Sequence, residues 1–168
     1  MTAVSSINAG GRILASAIQG IAPLAVIKGA DQSVTSNNSA FVADNALTLN
    51  VVANATYLFV SYLFYNGGTG GSSDIQIEWL VPSGASLNFQ LLHNNSGNTV
   101  VIDQTYQNGT SLTGVTNGTG DGMAMSMIGS LVMSSTPGII LLEWCQNTSS
   151  GTATTVKAGS FLTLWRVS

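Results

Sequence analysis

The chain has 168 residues, 45% of them hydrophobic, yet only 7% are charged, against roughly 25% in a typical soluble domain. A net charge of −3 and four scattered cations (Arg12, Lys28, Lys157, Arg166) provide no basic stripe, which argues against a nucleic-acid partner. No run approaches the about 20 apolar residues of a membrane-spanning helix. The opening "MTAVSSINAGGR" lacks the basic start of a secretory leader, and the single Cys145 excludes an internal disulfide framework. The expectation is a protein made in a cytoplasm, with no membrane partner. Asn, Ser, Thr and Gly carry the solubility that Lys and Glu usually supply. So few charges leave a surface prone to stick, and a permanent oligomer would bury it.

The first segment stands apart. In "NAGGRILASAIQGIAPL", Leu14, Ala17, Ile18 and Ile21 fall at helical spacing, Asn8 can cap and Pro23 ends the pattern. This predicts a short amphipathic helix, too short to stand alone, within an N-terminal arm over 1–23. Its apolar stripe must dock on its own domain, a sister chain or a larger assembly, and Arg12, Leu14, Ile18 and Ile21 are read as the anchor.

From residue 24 the signals are all β: apolar runs separated by Gly, Asn, Ser and Thr clusters, as in a sandwich or barrel. Strands are expected near 24–29, 46–51, 55–66, 74–81, 86–92, 99–105, 122–133, 138–146, 153–157 and 160–167. They would form one domain over 24–168. "NGGTGGSS", "HNNSGN" and "NGTGDG" read as turns.

Alternation along the strands assigns faces. "DIQIEWLVP" puts Ile75, Ile77, Trp79 and Val81 on one side and polar residues on the other. "ATYLFVSYLFY" is apolar on both sides, with Tyr62 and Phe64 opposite Tyr57, Phe59 and Leu63. "GIILLEWC" and "GMAMSMIGSLVMS" are similar, the latter with Met123, Met125 and Met127 on one face. The strand holding Phe161, Leu162, Leu164 and Trp165 must be tied into a sheet. Antiparallel strands apolar on both sides need a second cover, and subunit contacts are the natural one. Tyr62, Phe64, Met123, Met125, Met127, Trp144 and Trp165 are therefore read as oligomer interface or core.

Catalytic chemistry finds little support. His93 is the only histidine, at a strand end, so no Ser–His or Cys–His pair can be built on another base. Cys145 follows Trp144 in an apolar strand and reads as a small buried hydrophobe. The acids are spread along the chain, and Asp74 and Glu78, four apart on a strand, stand about 13 Å from each other. No catalytic, cofactor-binding or metal-binding residue is assigned, and the protein is expected not to be an enzyme. "NGTGDG" lacks the Lys-Ser/Thr and following helix of a phosphate loop.

Four stretches, in order, carry a resemblance: "IAPLAVIKGADQSVTS", "LTLNVVANATYLFVSYLFYNG", "DIQIEWLVPSGASLNFQLL" and "EWCQNTSSGTATTVKAGSFLTLWRV". Together they resemble small structural proteins of tailed phages that infect actinobacteria. The matching pieces are Ala9 to Arg12, Ala53 to Tyr57, Trp79 to Ala85 and Trp144 to Val167, with Cys145 where a small Ala is usual. The 94–122 segment does not match. The resemblance implies an all-β antiparallel jelly-roll of the tumour-necrosis-factor or C1q kind, usually a homotrimer. It also implies a place on the virion, after assembly in the host bacterial cytoplasm, as head-decoration, minor tail or fibre protein. Its partners would then be its own copies and other capsid or tail proteins. Loops 67–73, 94–98 and 107–121 would face outward. The competing reading is a tail-fibre or minor tail tip that binds a host-surface receptor or glycan. A glycan-cleaving enzyme, the third class, would need clustered carboxylates.

Overall fold

The computed structural model describes residues 22–68, 74–94, 99–102, 106–107, 109, 111–116, 118–120 and 122–168. The expected helix, with Arg12, Leu14, Ile18 and Ile21, lies outside them, as do 69–73 and 95–98 of the loops 67–73 and 94–98. The expectation that 107–121 faces outward as a loop is corrected: Leu112–Gly114 pairs with Ile75–Ile77 as a strand, and Leu112 and Thr116 are buried.

The described residues form an all-β protein of antiparallel strands in two sheets. The strands are β1 (Leu24–Ile27), β2 (Gln32–Val34), β3 (Val42–Val51), β4 (Thr56–Asn66), β5 (Ile75–Leu80), β6 (Ser86–Asn94), β7 (Val100–Ile102), β8 (Tyr106–Gln107), β9 (Leu112–Gly114), β10 (Met123–Val132), β11 (Gly138–Gln146), β12 (Thr154–Val156) and β13 (Phe161–Arg166). The larger sheet runs β1-β13-β4-β10-β6-β7, with β12, β2 and β8 at its margins; the smaller runs β3-β11-β5-β9. The chain crosses between sheets at β2→β3, β3→β4, β4→β5, β5→β6, β8→β9, β9→β10, β10→β11 and β11→β12.

Local chemistry explains the long strands. β4, "TYLFVSYLFYN", is almost wholly aromatic, β-branched or aliphatic, and sits centrally between β13 and β10. Its turn from β3 carries Asn54 at φ 55°, a left-handed conformation that Asn tolerates. Between β5 and β6, "PSGA" closes with Ala85 N–H donating to Pro82 O at 3.0 Å and Gly84 at φ 74°.

The core lies between the sheets. Tyr57, Phe59, Leu63 and Tyr65 of β4 and Met123, Met125, Met127 and Leu131 of β10 face Ile75, Ile77 and Trp79 of β5 and Ile140, Leu142 and Trp144 of β11. Phe59 meets Trp79 edge-to-face at 5.2 Å, and the Trp79 Nε1–H donates to Met127 Sδ at 3.2 Å, joining the two sheets. Opposite Phe59 and Phe89 on the inward side of β10 stands Gly129, where a Cβ would overlap the Asn88 carbonyl oxygen and Phe89 Cα. That small residue lets the Phe59 and Phe89 rings approach to 5.8 Å.

The strand with Phe161, Leu162, Leu164 and Trp165 is held between β1 and β4, with Leu162 and Leu164 buried. Val167 N–H donates to Thr56 O, and Thr56 N–H to Ser168 O. Four short or polar pieces escape pattern reading: β2, β8, β9 and the first half of β3, "VADN", whose polar residues break the alternation.

Candidate assembly face

The outward side of the larger sheet is built by register alone. Ile27, Phe161, Tyr62, Ser126, Leu92 and Ile102 are successive cross-strand partners, one row spanning the sheet from β1 to β7. A second row runs Ala25, Thr163, Val60, Ile128 and Gln90; a third runs Trp165, Leu58, Ser130 and Asn88. Phe64 with Ala124, and Val132 with Ser86, complete the face. None of these residues is charged. Ile128 is 60% exposed and Leu58 52%, and Phe64, Val132 and Trp165 are also exposed. The aromatic rings cluster there: Tyr62 lies 4.9 Å from Phe64 and stacks on Phe161 at 6.1 Å. A shallow hollow of about 220 Å³ opens beside Tyr62, lined by Leu92, His93, Asn94, Val100, Ala124 and Ser126.

Size sets what such a face can hold. Strands about 4.8 Å apart, six abreast, with outward side chains every ~6.8 Å along them, give a face on the order of 800 Å². A standard interface buries about that area on each partner. Apolar residues make up part of that area, interspersed with Ser126, Ser130, Thr163, Gln90 and Asn88, and exposed apolar patches of a few hundred Å² mark contact surfaces.

The residues read as interface or core divide cleanly. Met123, Met125, Met127 and Trp144 lie in the core, while Tyr62, Phe64 and Trp165 stand on the outward face. His93 lies at the edge of the hollow, its Nδ1 3.2 Å from the Asn94 carbonyl. Cys145 is buried on β11 with its Sγ 3.6 Å from Gln76 Oε1. Burial, and then the Glu78 carboxylate, push its thiol above the usual range, so it stays protonated.

Three charged groupings emerge that the sequence pattern did not reveal; one is an exposed ion pair of Lys157 with Asp31 at the margin of the larger sheet, Asp31 also accepting the Ala158 N–H. Glu78 of β5 and Glu143 of β11 are direct cross-strand partners on the outward side of the smaller sheet. The acids are therefore not all scattered, although among the described residues no group of three His, Cys, Asp or Glu is placed to hold a metal. Burial raises the Glu78 carboxyl above its ordinary value, and the facing Glu143 adds to the rise. The third grouping is internal. Lys28, read from sequence as a scattered cation, has a side chain with no solvent exposure, paired with an equally buried Asp44. Its Nζ donates to both Asp44 oxygens, to Asn45 Oδ1 and to Gln32 Oε1. The only sequence signal was the polar "DN" interrupting β3.

No family model matches the chain, and no curated protein does. Among solved structures, infectious bursal disease virus of the Gt strain aligns over 86% of this chain and 42% of its own, at 13% identity and a TM-score of 0.23. The infectious bursal disease virus VP2 subviral particle aligns over 86% and 40%, at 11% identity and a TM-score of 0.23. The chain spans about two fifths of the length of these proteins. Superpositions this loose carry no argument about function.

Proposed function

We propose that this protein is a structural subunit of a tailed-phage virion, a homotrimeric jelly-roll that decorates the capsid or forms part of a tail appendage. The observation that carries the reading is the outward face of the larger sheet, whose central rows hold no charge, the exposed Lys157–Asp31 pair lying at its margin beside Phe64. Burying those central rows against copies desolvates no ion, so the apolar gain of roughly 25 cal/mol per Å² meets no charge penalty there. A second copy is the partner every molecule always has, and cyclic closure repeats one contact around the axis. Two features support the finer assignment. The sheets β3-β11-β5-β9 and β4-β10-β6-β7, wound by alternate crossings, have the order of a jelly-roll. The four sequence stretches shared in order with actinobacterial phage structural proteins supply the virion context.

In this reading the N-terminal arm, with Arg12, Leu14, Ile18 and Ile21, anchors the trimer to another capsid or tail protein. The protein acts by binding and burial, without catalysis and without a cofactor. Sedimentation equilibrium of the full chain tests the core of it. A solution mass near three times 17.3 kDa is expected. A monomer would remove the assembly reading, and a dimer would keep the face but discard the trimer.

A further inference from the structure

The Lys28 site has a composition and geometry that a simple ion pair does not require. Lys28 follows β1 at the edge of the larger sheet, and its backbone is fixed by Lys28 N–H donating to Ser160 O and Gly159 N–H donating to Lys28 O, both at 2.8 Å. Asp44 and Asn45 are adjacent on β3, at the edge of the smaller sheet. The Nζ of Lys28 lies 2.6 Å from Asn45 Oδ1, closer than to either Asp44 oxygen at 2.9 and 3.0 Å. The Asn45 carboxamide carbon, one C=O bond of about 1.23 Å beyond that oxygen, is within about 3.8 Å of the amine. An amine, a carboxamide and a buried carboxylate thus meet at one point.

We propose that Lys28 and Asn45 are joined by an intramolecular isopeptide bond, formed by the folded chain itself with Asp44 as the proton carrier. Asp44, 2.9 Å from Nζ, takes a proton from the ammonium and frees its lone pair. A turn of the Asn45 amide about its Cβ–Cγ bond presents Cγ to that lone pair. The Nζ–Cγ bond forms and the carbonyl π pair moves onto Oδ1. Asp44 passes its proton to Nδ2 and accepts the second one from Nζ. As the carbonyl re-forms, the Cγ–Nδ2 bond breaks and ammonia leaves, departing with that last proton as ammonium. Asp44 ends as a carboxylate, and one ammonium plus one primary amide have become one secondary amide plus one ammonium. No oxidant or other co-reactant is needed.

The neighbours suit this chemistry. Asp44 Oδ1 accepts the backbone N–H groups of Ala46 and Leu47, both at 2.9 Å, which fixes the carboxylate beside the amine. Gln32 Oε1 accepts both Nζ and the Asn45 backbone N–H, at 3.2 and 2.8 Å, and so sets Lys28 against Asn45. The Lys28 and Asp44 side chains are closed to water, while Asn45 lies on the exposed side, giving the leaving ammonia a way out. Proximity of this kind is what makes an otherwise slow amide exchange proceed. The product ties the edge strands of the two sheets together covalently, where a cytoplasmically made protein cannot use a disulfide.

Mass spectrometry of the denatured full chain, followed by tryptic mapping, tests the proposal. The expected result is a chain lighter than its sequence by one ammonia. One tryptic peptide, 13–157, would contain Lys28 and Asn45 in a closed loop, with no cleavage after Lys28. Lys28→Arg should restore the full sequence mass, and Asp44→Asn should leave the chain unlinked or slow its linking at least tenfold. An unmodified wild-type peptide ending at Lys28 overturns the proposal. So does an ammonia loss that survives Lys28→Arg, which would mark a succinimide at an Asn-Gly pair such as Asn66-Gly67. Undiminished linking in Asp44→Asn overturns the role of Asp44. The wild-type map decides the bond even where a variant fails to fold.

Discussion

The two sheets cover one core, but their outward faces are built for different neighbours. The larger presents Leu58, Tyr62, Phe64, Ile128, Phe161 and Trp165 without a charge among them. The smaller also exposes apolar residues, Leu80 and Ile139, but sets Glu78 directly opposite Glu143. Burying that second face would strip water from two like charges, at several kcal/mol per ion. Burying the first strips water from hydrocarbon, aromatic rings and a few hydroxyls and amides. The difference teaches that exposed apolar area alone does not mark a contact face. The absence of ions that would have to be desolvated does.

The sharpest way to break this comparison is to give the larger face a charge. Ile128→Lys, at the middle of its central row, should convert the assembled protein to a monomer of about 17.3 kDa with its fold intact, read by sedimentation and circular dichroism. Glu78→Lys on the other face should leave the mass of the assembly unchanged. If both variants behave alike, the distinction between the faces is wrong.

Next in size are changes beneath the two faces. Gly129→Ala should lower stability by about 1–3 kcal/mol, because the new Cβ meets β6 backbone rather than a yielding side chain. Trp144→Ala, under the smaller sheet, should cost about 3–5 kcal/mol through the cavity it opens. Denaturant midpoints check both. Trp165→Ala, outward on β13, should cost much less in a monomeric background, and its loss should appear in assembly instead.

The carboxylate pair gives the smaller sheet a pH dependence opposite in sign to that of Asp31 at the margin of the larger, whose carboxyl the Lys157 hydrogen bond lowers. Glu78 binds its proton more tightly folded than unfolded, so its contribution is fully present below the unfolded carboxyl range. Stability should then fall as pH rises through the raised folded value. Glu78→Gln should flatten that fall and raise stability near neutrality by about 0.5 kcal/mol, the scale of a like-charge cross-strand pair. Urea midpoints across pH 4 to 7, set against wild type, measure it. An unchanged slope would assign the pH response elsewhere.

The remaining effect belongs to Tyr65. Its hydroxyl is buried and finds no hydrogen-bond partner among the described residues, and burial, with Asp74 nearby, keeps it firmly protonated. Removing it in Tyr65→Phe should leave stability unchanged or raise it by about 1 kcal/mol. A loss of that size would mean that the hydroxyl has a partner.

The sequence by itself determined the class of fold and the two sides of its long strands. The period of two along "TYLFVSYLFYN", "IQIEWL" and "MAMSMIGSLV" is a covalent property of extended chain, so within each strand Phe59 had to oppose Tyr62, Met127 to oppose Ile128, and Ile75, Ile77 and Trp79 to share one side. It also exposed the shortage of charge that makes the outward apolar row legible as a contact. Whether a given side met the core or the solvent was beyond it, since Met123 and Trp144 look as suited to an interface as Tyr62 and Trp165. Only tertiary structure decided that, through strand order and register. The same pairing brought Glu78 to Glu143 and Lys28 to Asp44 and Asn45, because residues far apart in sequence become neighbours only when sheets close. Short margins such as β2 and β9 were likewise decided by their partners, for three residues have too little period of their own to specify a strand.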